Sequence, residues 1–156
     1  MTTRNSRYWH SFLSNLLTSF NVSNDTTEES SYDGVCFFTL SGRIEYRDGC
    51  FCASSSSASL DMDPLQFLAL FDQLTRQAIR KERHIESMTP ALRLGLNVFH
   101  VVIATFSSIC AVMNGKTHGL VVEKLPFGVL VVAFSAPLRL ETVFSRLEDA
   151  CAAHRH

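Results

Sequence analysis

Residues 94–135 read LGLNVFHVVIATFSSICAVMNGKTHGLVVEKLPFGVLVVAFS, and the reading of this stretch decides the fold. Asn97 to Thr105 and Ile109 to Met113 are apolar and β-branched, as strands prefer. Asn114-Gly115 follows, the dipeptide best suited to the positive backbone angles of a two-residue hairpin turn. Leu120 to Glu123 then runs to Pro126-Phe127-Gly128, where proline pre-sets a turn and glycine releases it. Val129 to Phe134 returns as the last strand. Strands joined this tightly are antiparallel neighbours, so the segment predicts a four-strand meander.

An amphipathic helix follows from about Glu141 to Ala153, burying Val143, Phe144 and Leu147, with Ala150 and Cys151 on the same stripe. Upstream, Trp9, Phe12, Leu13, Leu16, Leu17 and Phe20 recur at helical spacing, which predicts a helix over 7–20 with Ser6 as its cap. Residues 21–33 are polar and rich in turn formers, a loop. Val35 to Thr39 and Arg43 to Tyr46 flank Ser41-Gly42 and form a hairpin, and Arg47-Asp48-Gly49 starts a further turn before Cys50 to Ala53. Residues 54–60 are a Ser-rich linker. Asp63 caps a helix with Pro64 at its first position and Gln66 completing a capping box. The inward face of that helix carries Leu65, Leu68 and Phe71, with Phe67, Leu70, Leu74 and Ala78 beside them. Residues 76–90 form a charged helical extension, and Thr89-Pro90 restarts the chain toward the strands.

The whole chain of 156 residues reads as a single domain of α+β class. Its composition, 46% apolar and 19% charged, is that of a globular protein. A formal net charge of −1 supplies no bulk attraction for nucleic acid or an anionic membrane. Five scattered cysteines in apolar contexts predict reduced thiols and a cytosolic compartment. Cys50 and Cys52 share a face if they lie in a strand, but no histidine or second cysteine pair completes a zinc set, so no metal and no cofactor is expected. The run from Leu96 to Met113 contains Asn97, His100, Ser107 and Ser108 and falls short of a span of about 20 residues; two buried strands explain it. The N-terminus lacks a signal-type apolar core, so the matches to the glycosylation pattern at Asn21 and Asn24 are read as chance. No integral membrane association is expected.

Catalysis finds no support. The chain has no nucleophile elbow, Gly115-Lys116 lacks the preceding glycine of a phosphate loop, and the histidines are dispersed. His100, inside an apolar strand, reads as a satisfied core residue.

The order helix, hairpin, helix, meander, helix resembles that of the profilins over nearly the whole chain. Trp9-His10-Ser11-Phe12-Leu13-Ser14-Asn15-Leu16 is similar to the family's N-terminal helix, and Leu94-Gly95 to its entry to the central strand. Ala111 to Lys116 followed by Gly119 to Lys124 resembles the family's Gly-Lys hairpin and next strand, and Val143 to Asp149 its closing helix. The resemblance implies a central antiparallel sheet with the N- and C-terminal helices packed together on one face and further helix on the other. It implies binding of monomeric actin and of proline-rich proteins such as formins, extending to phosphoinositides, in the cytoplasm and at the cytoskeleton. A polyproline II helix needs a strip of aromatic faces, and the family match maps that strip onto Trp9 and Phe12. The chain has a single tryptophan. The position of the family's second one falls near Glu45 or Tyr46, or in another register at Cys52; Tyr46 is the chosen substitute. Cys151 and His154, with His156 beyond, fall where the family's closing helix contributes. The matching actin face carries Lys116, His118, Lys124, Arg139 and Arg146. The competing reading is a roadblock- or longin-type scaffold subunit for a small GTPase or trafficking complex, which shares the same kinds of element.

Overall fold

The computed structural model describes residues 10–16, 32–51, 63–80, 91–94, 97–105, 107–113, 115, 118–136 and 138–152. Helix α1 is described over 10–16, α2 spans Pro64–Arg80 and α3 spans Leu140–Ala152. The strands are β1 (Gly34–Phe38), β2 (Ile44–Arg47), β3 (Ala91–Leu94), β4 (Asn97–Ala104), β5 (Ser108–Val112), β6 (His118–Leu125) and β7 (Gly128–Ser135). They form one antiparallel sheet in the order β2-β1-β7-β6-β5-β4-β3.

Strand β7 explains the architecture. Val129, Val131 and Ala133 belong to one apolar cluster and Leu130, Val132 and Phe134 to the other, so this unbroken apolar run is buried on both faces, as a central strand requires. Phe67, Leu70 and Phe71 of α2 close over the first cluster. Phe12, Leu13 and Leu16 of α1, with Val143, Leu147 and Cys151 of α3, close over the second. The helices therefore lie as the resemblance implies, α1 and α3 on one face and α2 on the other.

The meander is present with altered joints. Glu123↔Leu130 and Leu125↔Gly128 pair across β6 and β7, so Pro126-Phe127 is the two-residue turn. Gly128 is needed for close approach rather than for turning: a Cβ there would press on the Phe37 ring and lie 2.6 Å from the Phe38 carbonyl oxygen of β1. The β5–β6 connection is longer than predicted. Met113 N–H donates to the His118 carbonyl at 3.0 Å, so the strands join at Met113 and His118 and not across Asn114-Gly115 alone, although Gly115 does take a positive φ of 87°. The run from Leu96 to Met113 divides into β4 and β5, and Thr105 holds the turn by accepting from Ser108 N–H at 2.9 Å.

Other expectations are corrected. Strand β3 was not predicted; its alternating exposure over four residues is too short a pattern to stand out beside Pro90. Asp63 does cap α2, accepting from Leu65 N–H at 3.2 Å, but Gln66 leaves the capping box to bond β3. Leu65, predicted inward, is 65% exposed, since it lies off the stripe set by Phe67, Leu70 and Phe71. Cys50 sits in a single 3-10 turn, Gly49–Phe51, instead of a strand. The polar loop over 21–33 ends already tied to the sheet, because Asp33 N–H donates to the Ala133 carbonyl at 2.8 Å. The predicted positions 7–9, 17–20, 54–60 and 81–90 lie outside the described residues, as do the side chains of Leu74 and Ala78.

Candidate functional site

Covering helices divide the α1/α3 face of the sheet into two halves. Strands β1, β5, β6 and β7 all send buried side chains into the cluster beneath α1 and α3, whereas β3 and β4 send none among the described residues. Cross-strand register fixes what lies on the half that no described helix covers. Ile103 pairs with Cys110, which points under α3, and His100 pairs with Val112 and Ala91. Ala91, Arg93, Val98, His100, Ile103 and Val112 therefore share the open face. A bulge between Val101 and Ile103 adds Val102, which turns outward. Val102 is 53% and Ile103 39% exposed. An apolar patch with an arginine and a histidine at its border is the kind of surface that a protein partner covers. His100 is thus half-buried on this open face and not a core residue.

The polar hub of the covered half lies next to the patch. Ser108 Oγ is 2.6 Å from Glu148 Oε1 of α3 and 3.0 Å from Glu123 Oε1 of β6. Cys110, two residues along β5, has its thiol pKa pushed up to about 12, first by burial and then by the carboxyls of Glu123 and Glu148.

Of the strip predicted for proline-rich ligands, Phe12, Tyr46 and Cys151 all fall on the α1/α3 side. Phe12 is only 3% exposed and Cys151 is 0%, and both pack between helix and sheet. Phe12 meets Phe127 of the β6–β7 turn edge-on at 5.7 Å, and Phe127 lies 6.0 Å from Phe37. Tyr46 is half-buried and donates its hydroxyl to Asp48 Oδ2 at 2.6 Å. Trp9 and His154 lie outside the described residues.

The four described basic positions, His118, Lys124, Arg139 and Arg146, do not form one patch. His118 and Lys124 stand at opposite ends of β6, about 20 Å apart at strand rise, both on the α2 face by alternation. Lys124 places its ammonium 5.9 Å from the Phe71 ring centroid of α2. Arg139 precedes α3, its carbonyl accepting from Val143 N–H at 3.1 Å, and Arg146 is exposed on α3. Lys116 lies outside the described residues. Sequence reasoning missed Val98, Val102, Ile103 and Val112 as surface, because apolar side chains in a strand signal core unless the helix cover is known.

The geometry finds its counterpart among solved structures. Profilin II of Acanthamoeba castellanii superposes with a TM-score of 0.54 at 14% identity, over 78% of this chain and 83% of that one. The chain has a profilin-like fold. LokiProfilin1 superposes with a TM-score of 0.57 at 10% identity, over 94% of this chain and 95% of its own. LokiProfilin2, in a complex with rabbit actin, gives 0.57 at 10% identity over 94% of each chain. No family model and no curated protein matches the sequence. The profilin-like fold is thus carried here by a sequence that keeps the pattern of strands and helices and little of the residue identity. No helix among the described residues is long and apolar enough to cross a membrane.

Proposed function

We propose that this protein binds monomeric actin and regulates its polymerisation. The observation that carries the reading is the profilin-like fold over nearly the whole chain, shared with LokiProfilin1 and LokiProfilin2, each solved in a complex with rabbit actin. The open half-face of β3 and β4 supports it, since an apolar patch of Val98, Val102, Ile103 and Val112 gives a partner something to bury. Arg139 and Arg146, exposed at and along α3, add positive charge suited to an acidic surface.

The mechanism is stoichiometric binding. A bound monomer is kept from nucleating filaments and remains available to growing ends. Bias of the monomer toward a more open state would speed its nucleotide exchange. Proline-rich assembly factors such as formins, bound through Trp9 and Tyr46, would deliver the complex; phosphoinositides would compete for the basic positions. Phe12 and Cys151 are buried beneath the helices, which puts the weight of this contact on Trp9, Tyr46 and His154.

The test is spontaneous assembly of pyrenyl-actin with increasing amounts of the protein. A dose-dependent lengthening of the nucleation lag supports the reading, and unchanged kinetics at a several-fold excess of folded protein would refute it. Octaproline titration followed by Trp9 fluorescence reads the proline-rich arm separately, with Trp9→Ala as the blank.

A further inference from the structure

The Ser108 hydroxyl touches more acceptors than it has protons. Its Oγ lies 2.6 Å from Glu148 Oε1 and 3.0 Å from Glu123 Oε1, yet a serine has one hydrogen to give. A single proton shared between both acceptors would leave each contact weak, whereas a proton supplied by one of the carboxyl groups completes both. Were both carboxyls ionised, their Oε1 atoms would stand within about 6 Å of each other in a weakly solvated site, a like-charge arrangement that favours protonating one.

The two contacts differ in a way that assigns the proton. A hydroxyl donating to a carboxylate makes a short bond of roughly 2.5–2.7 Å, which the Glu148 contact matches and the Glu123 contact does not. Burial points the same way: Glu123 is 0% exposed, while Glu148 is half-buried at the edge of α3, and desolvation penalises charge most on the deeper group. Register holds the arrangement rigidly, because Ser108 and Glu123 are direct cross-strand partners on β5 and β6. Glu148 follows Leu147, whose side chain is buried against the sheet.

We propose that Glu123 stands as the neutral acid at neutral pH and donates to Ser108, whose own proton goes to Glu148, so that a proton-dependent relay fastens α3 to β5 and β6. Among the described residues, the groups placed on the Glu123 side of the sheet include Ser108 and Cys110 of β5, Glu148 of α3 and Leu130 of β7, with Phe12, Leu13 and Leu16 of α1 in the same cluster. Lys124 projects to the opposite side of the sheet, over Phe71. Loss of the Glu123 proton removes the donor and sets two charges around one hydroxyl.

The sign follows from linkage. A folded carboxyl held protonated above its ordinary value of about 4.3 gives stability that is complete below that value. That stability is lost as the pH rises, by up to about tenfold in the folding constant per unit, until the folded group has titrated. Glu123→Gln keeps a neutral donor to Ser108 and removes the proton, so comparison with it cancels every other titrating group. Denaturant unfolding of the full chain from pH 5 to 9 should show the wild-type to Glu123→Gln ratio of folding constants falling with pH. A ratio independent of pH overturns the proposal. Infrared spectroscopy gives a readout that does not need the variant to fold: the carbonyl band of a protonated, buried carboxylic acid should be present in the wild type at pH 7. Its absence would overturn the proposal as well.

Discussion

Gln66 of α2 hydrogen-bonds both backbone groups of Arg93 on β3, its Nε2 donating to the Arg93 carbonyl at 2.7 Å and its Oε1 accepting from Arg93 N–H at 3.0 Å. The side-chain amide stands where an eighth strand would pair. It joins α2 to the outermost strand and blocks that part of a sheet edge open to another chain. A residue recruited from 27 positions away in sequence thus completes the ladder beside the uncovered half-face.

Gln66→Ala removes two hydrogen bonds at a partly exposed site, and the expected loss is about 1–2 kcal/mol of folding stability. Amide exchange should rise along Ala91–Leu94 before it rises in β6 and β7. Uniform loss of protection would place the effect elsewhere.

Gly128→Ala has no room. The new methyl would meet the Phe37 ring and the Phe38 carbonyl, and a backbone oxygen cannot move aside without shifting β1. The expected cost is roughly 2–3 kcal/mol by denaturant unfolding. Gly115→Ala is the contrast. Nothing lies within 4 Å of its Cβ and only its φ of 87° resists, so the cost is about 1 kcal/mol.

Cys110 should react far more slowly than Cys50. With its pKa pushed up to about 12 from 9.0, almost none of it is thiolate at pH 8, and the thiolate is the nucleophile. Half-buried Cys50 should alkylate well ahead of it in a time course resolved by peptide mass mapping. Linkage gives the accompanying pH effect: the folded thiol titrates above the unfolded one, so its contribution is whole below pH 9 and is lost as the pH rises toward 12. Equal labelling of Cys50 and Cys110 in the native protein would contradict this placement.

Lys124→Glu should cost stability rather than merely reverse a surface charge, because the ammonium lies over Phe71. The expected loss is about 1 kcal/mol. Arg146→Glu on the exposed side of α3 should cost less than about 0.5 kcal/mol, and thermal unfolding of the two variants separates them.

The legibility of this chain followed the range of its interactions. Strands β4 to β7 and helix α3 were readable because each is fixed by local periodicity and by turns such as Pro126-Phe127. The β1–β2 hairpin was readable from Ser41-Gly42, where Gly42 adopts a φ of 92°. What could not be read depends on distant partners. Gln66 looks like a capping-box residue until β3 is placed beside it, and β3 itself is too short to declare a period. The site was less legible than the fold. Phe12 carries the same pattern whether its ring faces a ligand or Phe127, and Ile103 reads as core unless it is known that α3 stops short of β4. Ser108, Glu123 and Glu148 are spread over 40 positions, and nothing local announces that they meet.

Monomer binding through the open half-face is tested by titration of fluorescently labelled monomeric actin with wild-type protein and with Ile103→Glu. The wild type should bind saturably, and a charge placed in the apolar patch should weaken binding about tenfold or more, with the variant's unfolding midpoint close to that of the wild type. No binding by folded wild-type protein, or equal binding by both, would contradict binding through this face.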